Sequence, residues 1–381
     1  MSSFHASAAV RRVDSTSLRV QQPTSTDDLV SLAMGEPNFD TPARIRQAAD
    51  AALAAGYTHY APLKGDIQLR EALAQRMSTL RGGPVDVDQV IVTHGGSGGL
   101  AAAILGIVDP GDTVVVPDPT YSLYADLVSL AGGRLVPVPL TDDLHWDLDR
   151  LRDALVGARL FVFCNPGNPT GIVHTGAELE ALGRMLDGTD TLVISDEAYS
   201  ELVFGTEPFR SAWQVPALAE RTVYCQTFSK SYAMTGWRVG YLAGPADVIA
   251  AAARVHATFN GSPNTAVQRA ALVAVNECAD DVIAMREVYR RRRALMLDGL
   301  RQIPSLSITE PDGAFYCFPR YHADLPATDV VAHLRSHGVA TRPGSEFGRH
   351  GEHHIRLSYA ASDEAIEEGV LRLAKALTDL N

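Results

Sequence analysis

Lysine is nearly missing from this chain. Of its 33 lysine and arginine residues, only Lys64, Lys230 and Lys375 are lysine. Arginine keeps its charge and is a poor amine nucleophile, whereas a desolvated lysine loses its proton and forms Schiff bases. Any amine chemistry is therefore confined to three positions. Cysteine is scarce as well. Cys164, Cys225, Cys278 and Cys317 lie far apart, three of them in strand-like apolar runs. They fit neither a zinc spacing nor a disulfide framework, which points to a reducing compartment and gives no reason to expect a metal. No apolar run reaches the length of a membrane span. The first fourteen residues carry no apolar signal core, so a cytoplasmic location is expected. Positive charge is in deficit, with a formal net charge of −12. That argues against non-specific binding to nucleic acid or anionic membrane. No internal repeat or low-complexity segment is visible.

What is present is a long globular chain. At 381 residues it exceeds one ordinary domain, and a large domain with a smaller one is the natural division. Residues 1–30 read as an irregular arm with one short helical piece. Leu29–Met34 reads as a short strand, ending in the breaker-rich loop Gly35-Glu36-Pro37-Asn38-Phe39-Asp40. Thr41 and Pro42 read as N-cap and first residue of an alanine-rich helix. A second helix is expected from about Asp66 to Leu80. From Val90 onward, seven short β-rich runs begin at Val90, Thr113, Leu135, Leu160, Leu192, Thr222 and Val239, with helical stretches between most of them. Several are apolar on both faces, as strands covered on both sides should be. This predicts an α/β fold with a mainly parallel sheet. A helical region from about Asn264 to Leu300, broken near Cys278, precedes a mixed α+β end.

In open α/β sheets ligands bind beyond the carboxyl ends of the strands, and here the chemically unusual residues gather at those ends. Gly95-Gly96-Ser97-Gly98-Gly99 follows the first strand and Tyr121 the second. Asn168 lies in the loop after Cys164, Asp196 ends the Leu192 strand, and Lys230 follows the Thr222 strand. The glycine loop has two readings. Gly96-Ser97-Gly98-Gly99-Leu100-Ala101 fits a dinucleotide fingerprint, with Asp118 about 20 residues on as the ribose-binding acid, so a nicotinamide-dependent oxidoreductase competes. Both readings share a phosphate held at a helix N-terminus. A lysine, an aspartate, an asparagine and two arginines have no role in a dinucleotide site.

Asn168-Pro169-Thr170-Gly171, Asp196-Glu197-Ala198-Tyr199, and Ser229-Lys230 with Arg238 eight residues on carry a resemblance. The chain resembles fold-type I pyridoxal-phosphate enzymes, class I/II aminotransferases, and within them the prokaryotic aspartate and aromatic aminotransferase subgroup. The resemblance runs from Gly35 to Tyr359. It implies a three-layer α/β/α architecture around a mainly parallel seven-stranded sheet. Residues 39–284 would form the large cofactor-binding domain, and 1–38 with 285–381 the small one. It implies pyridoxal 5′-phosphate as cofactor, with Lys230 as Schiff-base lysine and proton carrier and Asp196 as partner of the pyridinium nitrogen. Tyr121 would stack on the ring, and Asn168 and Tyr199 would bond its phenolic oxygen. Gly96, Ser97, Gly98, Thr227, Ser229 and Arg238 would cradle the phosphate. Tyr60 would reach the phosphate of a neighbouring subunit, which implies a homodimer. Arg356 would grip the substrate carboxylate, assisted by Gly35 and Asn168.

The implied reaction moves an amino group from an L-amino acid to a 2-oxo acid by a ping-pong route. The same residues also serve lyases and replacement enzymes, such as the 1-aminocyclopropane-1-carboxylate synthase type acting on S-adenosylmethionine. An effector domain of a transcription regulator is a further alternative, set aside because only some 30 residues precede the Gly35 loop and the chain is acidic. One departure concerns Ser97, where many aspartate aminotransferases carry a lysine that reads the distal carboxylate. Losing that cation costs an acidic substrate on the order of 1.5–3 kcal/mol. The reading therefore leans to a neutral, aromatic or otherwise unusual amino donor, unless an arginine from elsewhere replaces the lysine. Candidate pocket residues are the arm Val13 to Thr26, the segment Phe259 to Asn264, Phe315 and Phe347.

Overall fold

The computed structural model describes residues 5–13 and 28–380. Most of the arm from Val13 to Thr26 lies outside these residues. Short β1 (Val30–Ser31) precedes the seven strands expected from the apolar runs: β2 (Val90–Thr93), β3 (Thr113–Asp118), β4 (Arg134–Pro139), β5 (Leu160–Cys164), β6 (Leu192–Asp196), β7 (Thr222–Thr227) and β8 (Gly240–Ala243). They form one sheet in the order β2-β8-β7-β6-β5-β3-β4, parallel except for β8, which runs against both its neighbours. Side chains alternate across a strand, and here both sets are buried. Val114, Val116, Leu160, Val162, Ile194 and Val223 pack under the helices Gly95–Ile107, Leu123–Ala131 and Ala246–Asn260. Val115, Phe161, Phe163 and Val193 pack under Leu148–Ala154 and Gly176–Met185 on the opposite face. Tyr224 and Tyr241 continue that face under Ile67–Arg81 and Thr265–Glu277. Two-sided cover is why these strands read as continuous apolar runs.

The remaining strands are two residues long, apart from the last: β9 (Leu306–Ser307), β10 (Tyr316–Cys317), β11 (Arg320–Tyr321), β12 (Val339–Ala340), β13 (Arg342–Pro343) and β14 (Ile355–Ser358). β14 lies between β10 and β13, and β1 pairs in parallel with β12. The N-terminal strand thus joins the C-terminal part of the chain. The helices Ala327–Ser336 and Asp363–Thr378 pack with these short strands, and Ala279–Leu300 packs on Asp363–Thr378.

Several local expectations need correction. Thr41 does not cap its helix. The helix runs Ala43–Ala54 with Pro42 in the cap position and no side-chain cap bond, and the Thr41 hydroxyl donates instead to Ala233 O at 2.6 Å. Tertiary contact outcompetes the local cap because Thr41 is buried against that loop. Asp66, in contrast, caps Ile67–Arg81 through the N–H groups of Gln68 and Leu69. Asp118 is no ribose acid. It is buried and bound to His350, whose Nδ1 lies 2.7 Å from its carboxylate and whose backbone N–H donates to it at 3.3 Å. With Thr120 N–H donating to Phe347 O at 2.8 Å, it moors the 344–351 loop to the carboxyl edge of the sheet.

Candidate active site

The carboxyl edge of the sheet, the segment Ala33–Glu36 that follows β1, and β10, β13 and β14 enclose a cavity of about 600 Å³. Twelve residues picked out in the sequence line it: Gly35, Gly96, Ser97, Tyr121, Asn168, Asp196, Tyr199, Thr227, Ser229, Lys230, Arg238 and Arg356. Two do not. Gly98 lies one residue further along the helix Gly95–Ile107, away from the wall, and Tyr60 is 98% exposed.

One end of the cavity is built for an anion. The helix Gly95–Ile107 begins there, and the first backbone N–H groups of a helix are free donors at the positive end of its dipole. Gly95 sits at φ +69°, and a Cβ on it would fall 2.4 Å from Arg238 Nη2, so glycine is what admits the guanidinium. Arg238 itself adopts φ +55°, with Nη1 donating to Thr235 O at 2.9 Å. Thr227 caps the short turn Phe228–Ser231 by accepting from Ser229 N–H at 3.2 Å, and its hydroxyl donates to Ser229 Oγ at 2.9 Å. Two hydroxyls, a guanidinium and a helix N-terminus therefore converge.

Lys230 and Asp196 stand at the ends of adjacent parallel strands, β7 and β6. Lys230 Nζ donates to Gly35 O at 2.6 Å. Burial lowers its pKa to about 8; Glu36 opposes the shift, and Arg356 and Arg238 add to it. The amine is thus available as a base near neutral pH. Burial pushes the Asp196 carboxyl up to about 6, against a hydrogen bond from Tyr124 Oη at 2.8 Å that favours the charged form. Such a carboxylate gains most when a cation arrives.

At the other end, Arg356 is buried with Nη1 donating to Asn168 Oδ1 at 3.0 Å and Nη2 to Ala33 O at 2.8 Å. Its guanidinium carbon lies 4.4 Å from the centre of the Tyr316 ring and 4.8 Å from that of Phe347. Its Nε is buried without a hydrogen-bond partner, which suits a carboxylate still to come. Accepting from Arg356 leaves the Asn168 amide NH₂ as a donor. Tyr199 and Tyr316 share a hydroxyl contact of 2.9 Å. Gly35 is required here, since a Cβ would meet Tyr316 Oη at 2.2 Å.

Sequence reasoning missed Tyr124, Tyr316, Arg342 and Glu36. Tyr124 had a signal: it lies three residues after Tyr121 on an apolar helix, where a phenol seeks a polar partner. Arg342 and Tyr316 had none, because long-range pairing of two-residue strands brings them in. Of the pocket candidates, Phe315 and Phe347 are buried behind the wall, and Phe259 is 73% exposed away from it.

The family model described as aminotransferase class I and II matches residues 27–373. The aspartate/prephenate aminotransferase of Thermus thermophilus is 39% identical, over 92% of this chain and 91% of that one. A solved structure of the T. thermophilus aspartate aminotransferase with maleate superposes at a TM-score of 0.87, with 38% identity over 92% of each chain. An aromatic aminotransferase from Pyrococcus horikoshii superposes at 0.89, with 34% identity over 93% of this chain and 97% of that one.

Proposed function

Because the chain belongs to the class I and II aminotransferases, we propose that its cavity is an amino-transfer site with Lys230 as the reacting amine. The enzyme is a pyridoxal-phosphate-dependent aminotransferase that moves an amino group from an L-amino acid to a 2-oxo acid. The roles of individual residues, the homodimer, the two-domain division at 39–284 and the cytoplasmic location are our reading.

The cavity fits the cofactor. The glycine-backed Arg238 and the helix N-terminus form a cradle for a phosphate, and the Asp196 carboxylate, a fit counter-ion for a ring nitrogen, and the Lys230 amine line the same cavity. Bound there, pyridoxal 5′-phosphate supplies an electron sink for the charge left when a Cα proton departs. The protein does the rest. Ser97, Thr227, Ser229, Arg238 and the N–H of Gly96 would hold the phosphate. The Asp196 carboxylate, held by Tyr124, would keep the ring nitrogen protonated. Tyr121 would cover the ring, while Asn168 and Tyr199 would hold the phenolic oxygen. Arg356 and the Gly35 backbone fix the substrate carboxylate and so orient the Cα–H bond. The Lys230 Nζ, with its depressed basicity, would accept the substrate Cα proton and hold it for redelivery.

Tyr60, almost wholly exposed on this chain, is suited to reach the site of a second copy, which supports the dimer. Four buried free cysteines suit a reducing cytoplasm, and no helix among the described residues is long and apolar enough to cross a membrane. One observation carries the proposal. Asp196 ends β6, and Lys230 lies in the turn that follows neighbouring β7, on the wall that also holds the anion cradle and Arg356. The test is stoichiometric: each donor consumed without acceptor should bleach one bound cofactor and release one 2-oxo acid. Release of ammonia or an eliminated fragment instead would indicate lyase chemistry.

A further inference from the structure

Arg342 adds a second buried guanidinium to the wall of the cavity. It stands directly opposite Arg356 in the β13–β14 register, so two like charges face each other across one strand pair. That arrangement is costly by itself. Glu346 offsets it: its Oε2 lies 2.7 Å from Arg342 Nε, both side chains being about nine-tenths buried. The pairing is out of line for a hydrogen bond, and Arg342 Nε, Arg342 Nη2 and Glu346 Oε2 are all buried without a hydrogen-bond partner. Glu346 is not part of the cavity wall, whereas Arg342 is. A buried ion pair with poor alignment contributes little stability. Its unused donors, on the wall of a substrate pocket, have another use. The site also lacks a cation at Ser97 with which to read a distal carboxylate.

We infer that Arg342 is the specificity-determining residue that takes the distal carboxylate of a dicarboxylic amino donor or oxo-acid acceptor. Glu346 is the counter-ion that holds it when the substrate side chain is neutral. A ping-pong transferase must admit two side chains to one pocket in turn. A guanidinium that can close on Glu346 or open to a second carboxylate serves both. This inference rests on the amino-transfer reading above, because the first carboxylate is the one assigned to Arg356.

The test uses unreactive ligands on the holoenzyme. Succinate and butyrate have the same chain length and differ by one carboxylate; their binding is measured by calorimetry. Wild type should prefer succinate by about tenfold or more, the scale of one charge-assisted bidentate contact. R342Q should erase that preference and R342K restore part of it. E346Q should enlarge it, because the guanidinium is then free. A merely structural pair predicts that R342Q and E346Q move binding in the same direction. The inference is overturned if wild type binds both ligands equally, if R342Q weakens both alike, or if E346Q reduces the preference. Should R342Q fail to fold, R342K and E346Q decide. If no amino donor bleaches the wild-type cofactor, the amino-transfer reading itself fails, which is a separate outcome.

Discussion

Replacing Asp196 with asparagine should stabilise the cofactor-free protein while disabling the enzyme. The Asp196 carboxyl is buried and its pKa stands at about 6, against 3.8 for an ordinary aspartate. A raised carboxyl contributes stability that is complete below the unfolded pKa and is lost as pH rises through the folded one. About two units correspond to ~3 kcal/mol at 1.36 kcal/mol per unit. That cost is absent at low pH, about half developed at pH 5 and nearly complete at pH 8, following the two titrations. Asparagine is nearly isosteric, carries no charge and can still accept from the Tyr124 hydroxyl, giving up only the longer 3.3 Å bond from the Ala198 N–H. Urea denaturation of the stripped protein should therefore place D196N above wild type by about 2–3 kcal/mol at pH 8, with a smaller gap at pH 5. Amino transfer by the reloaded variant should fall at least about 100-fold, the scale of losing one preorganised electrostatic partner. A D196N protein that is less stable, or whose advantage does not change with pH, would refute the reasoning.

Other expectations follow from single contacts. Y124F removes the donor to the Asp196 carboxylate, so the Asp196 pKa should rise further and kcat/KM near pH 7 should drop by about tenfold, seen as an upward shift of the acid limb of the pH profile. G35A drives a methyl into Tyr316 Oη, and should raise KM for amino donors and cost about 1–3 kcal/mol in thermal unfolding. G95A strains a left-handed backbone and crowds Arg238; cofactor affinity, measured by fluorescence titration, should weaken more than fold stability. If Tyr60 completes a neighbouring site, mixing inactive K230A with a weakened Y60A protein should restore activity in hybrid dimers, and no gain on mixing would count against the shared site.

The sheet was legible because its chemistry is repetitive. Strands buried on both faces leave apolar runs of four to six residues, and most of the seven read that way, the partly buried edge strand β4 being the exception. The carboxyl-edge residues were legible for a related reason: a parallel strand ends where its ligand-binding loop begins. Asp196, Lys230 and the Gly95 loop could therefore be placed together without coordinates. The substrate end was legible only in part: the resemblance pointed to Arg356, Gly35 and Asn168, and the rest left no signal. Arg342 and Tyr316 sit on strands of two residues, which leave no period to read, and their position depends on pairing with β14. Thr41 shows the converse error, in which a good local cap signal yielded to a tertiary hydrogen bond with Ala233. Asp118 shows another, since its distance along the chain suggested a ribose contact while its side chain holds His350.

The central claim is that one lysine, Lys230, carries the cofactor between the Arg238 cradle and Asp196. Reducing the holoenzyme with borohydride and mapping its peptides by mass tests this directly. One pyridoxyl group per chain is expected, on Lys230, and none once an amino donor has been added before reduction. A label on Lys64 or Lys375, or a donor that leaves the label in place, would contradict it.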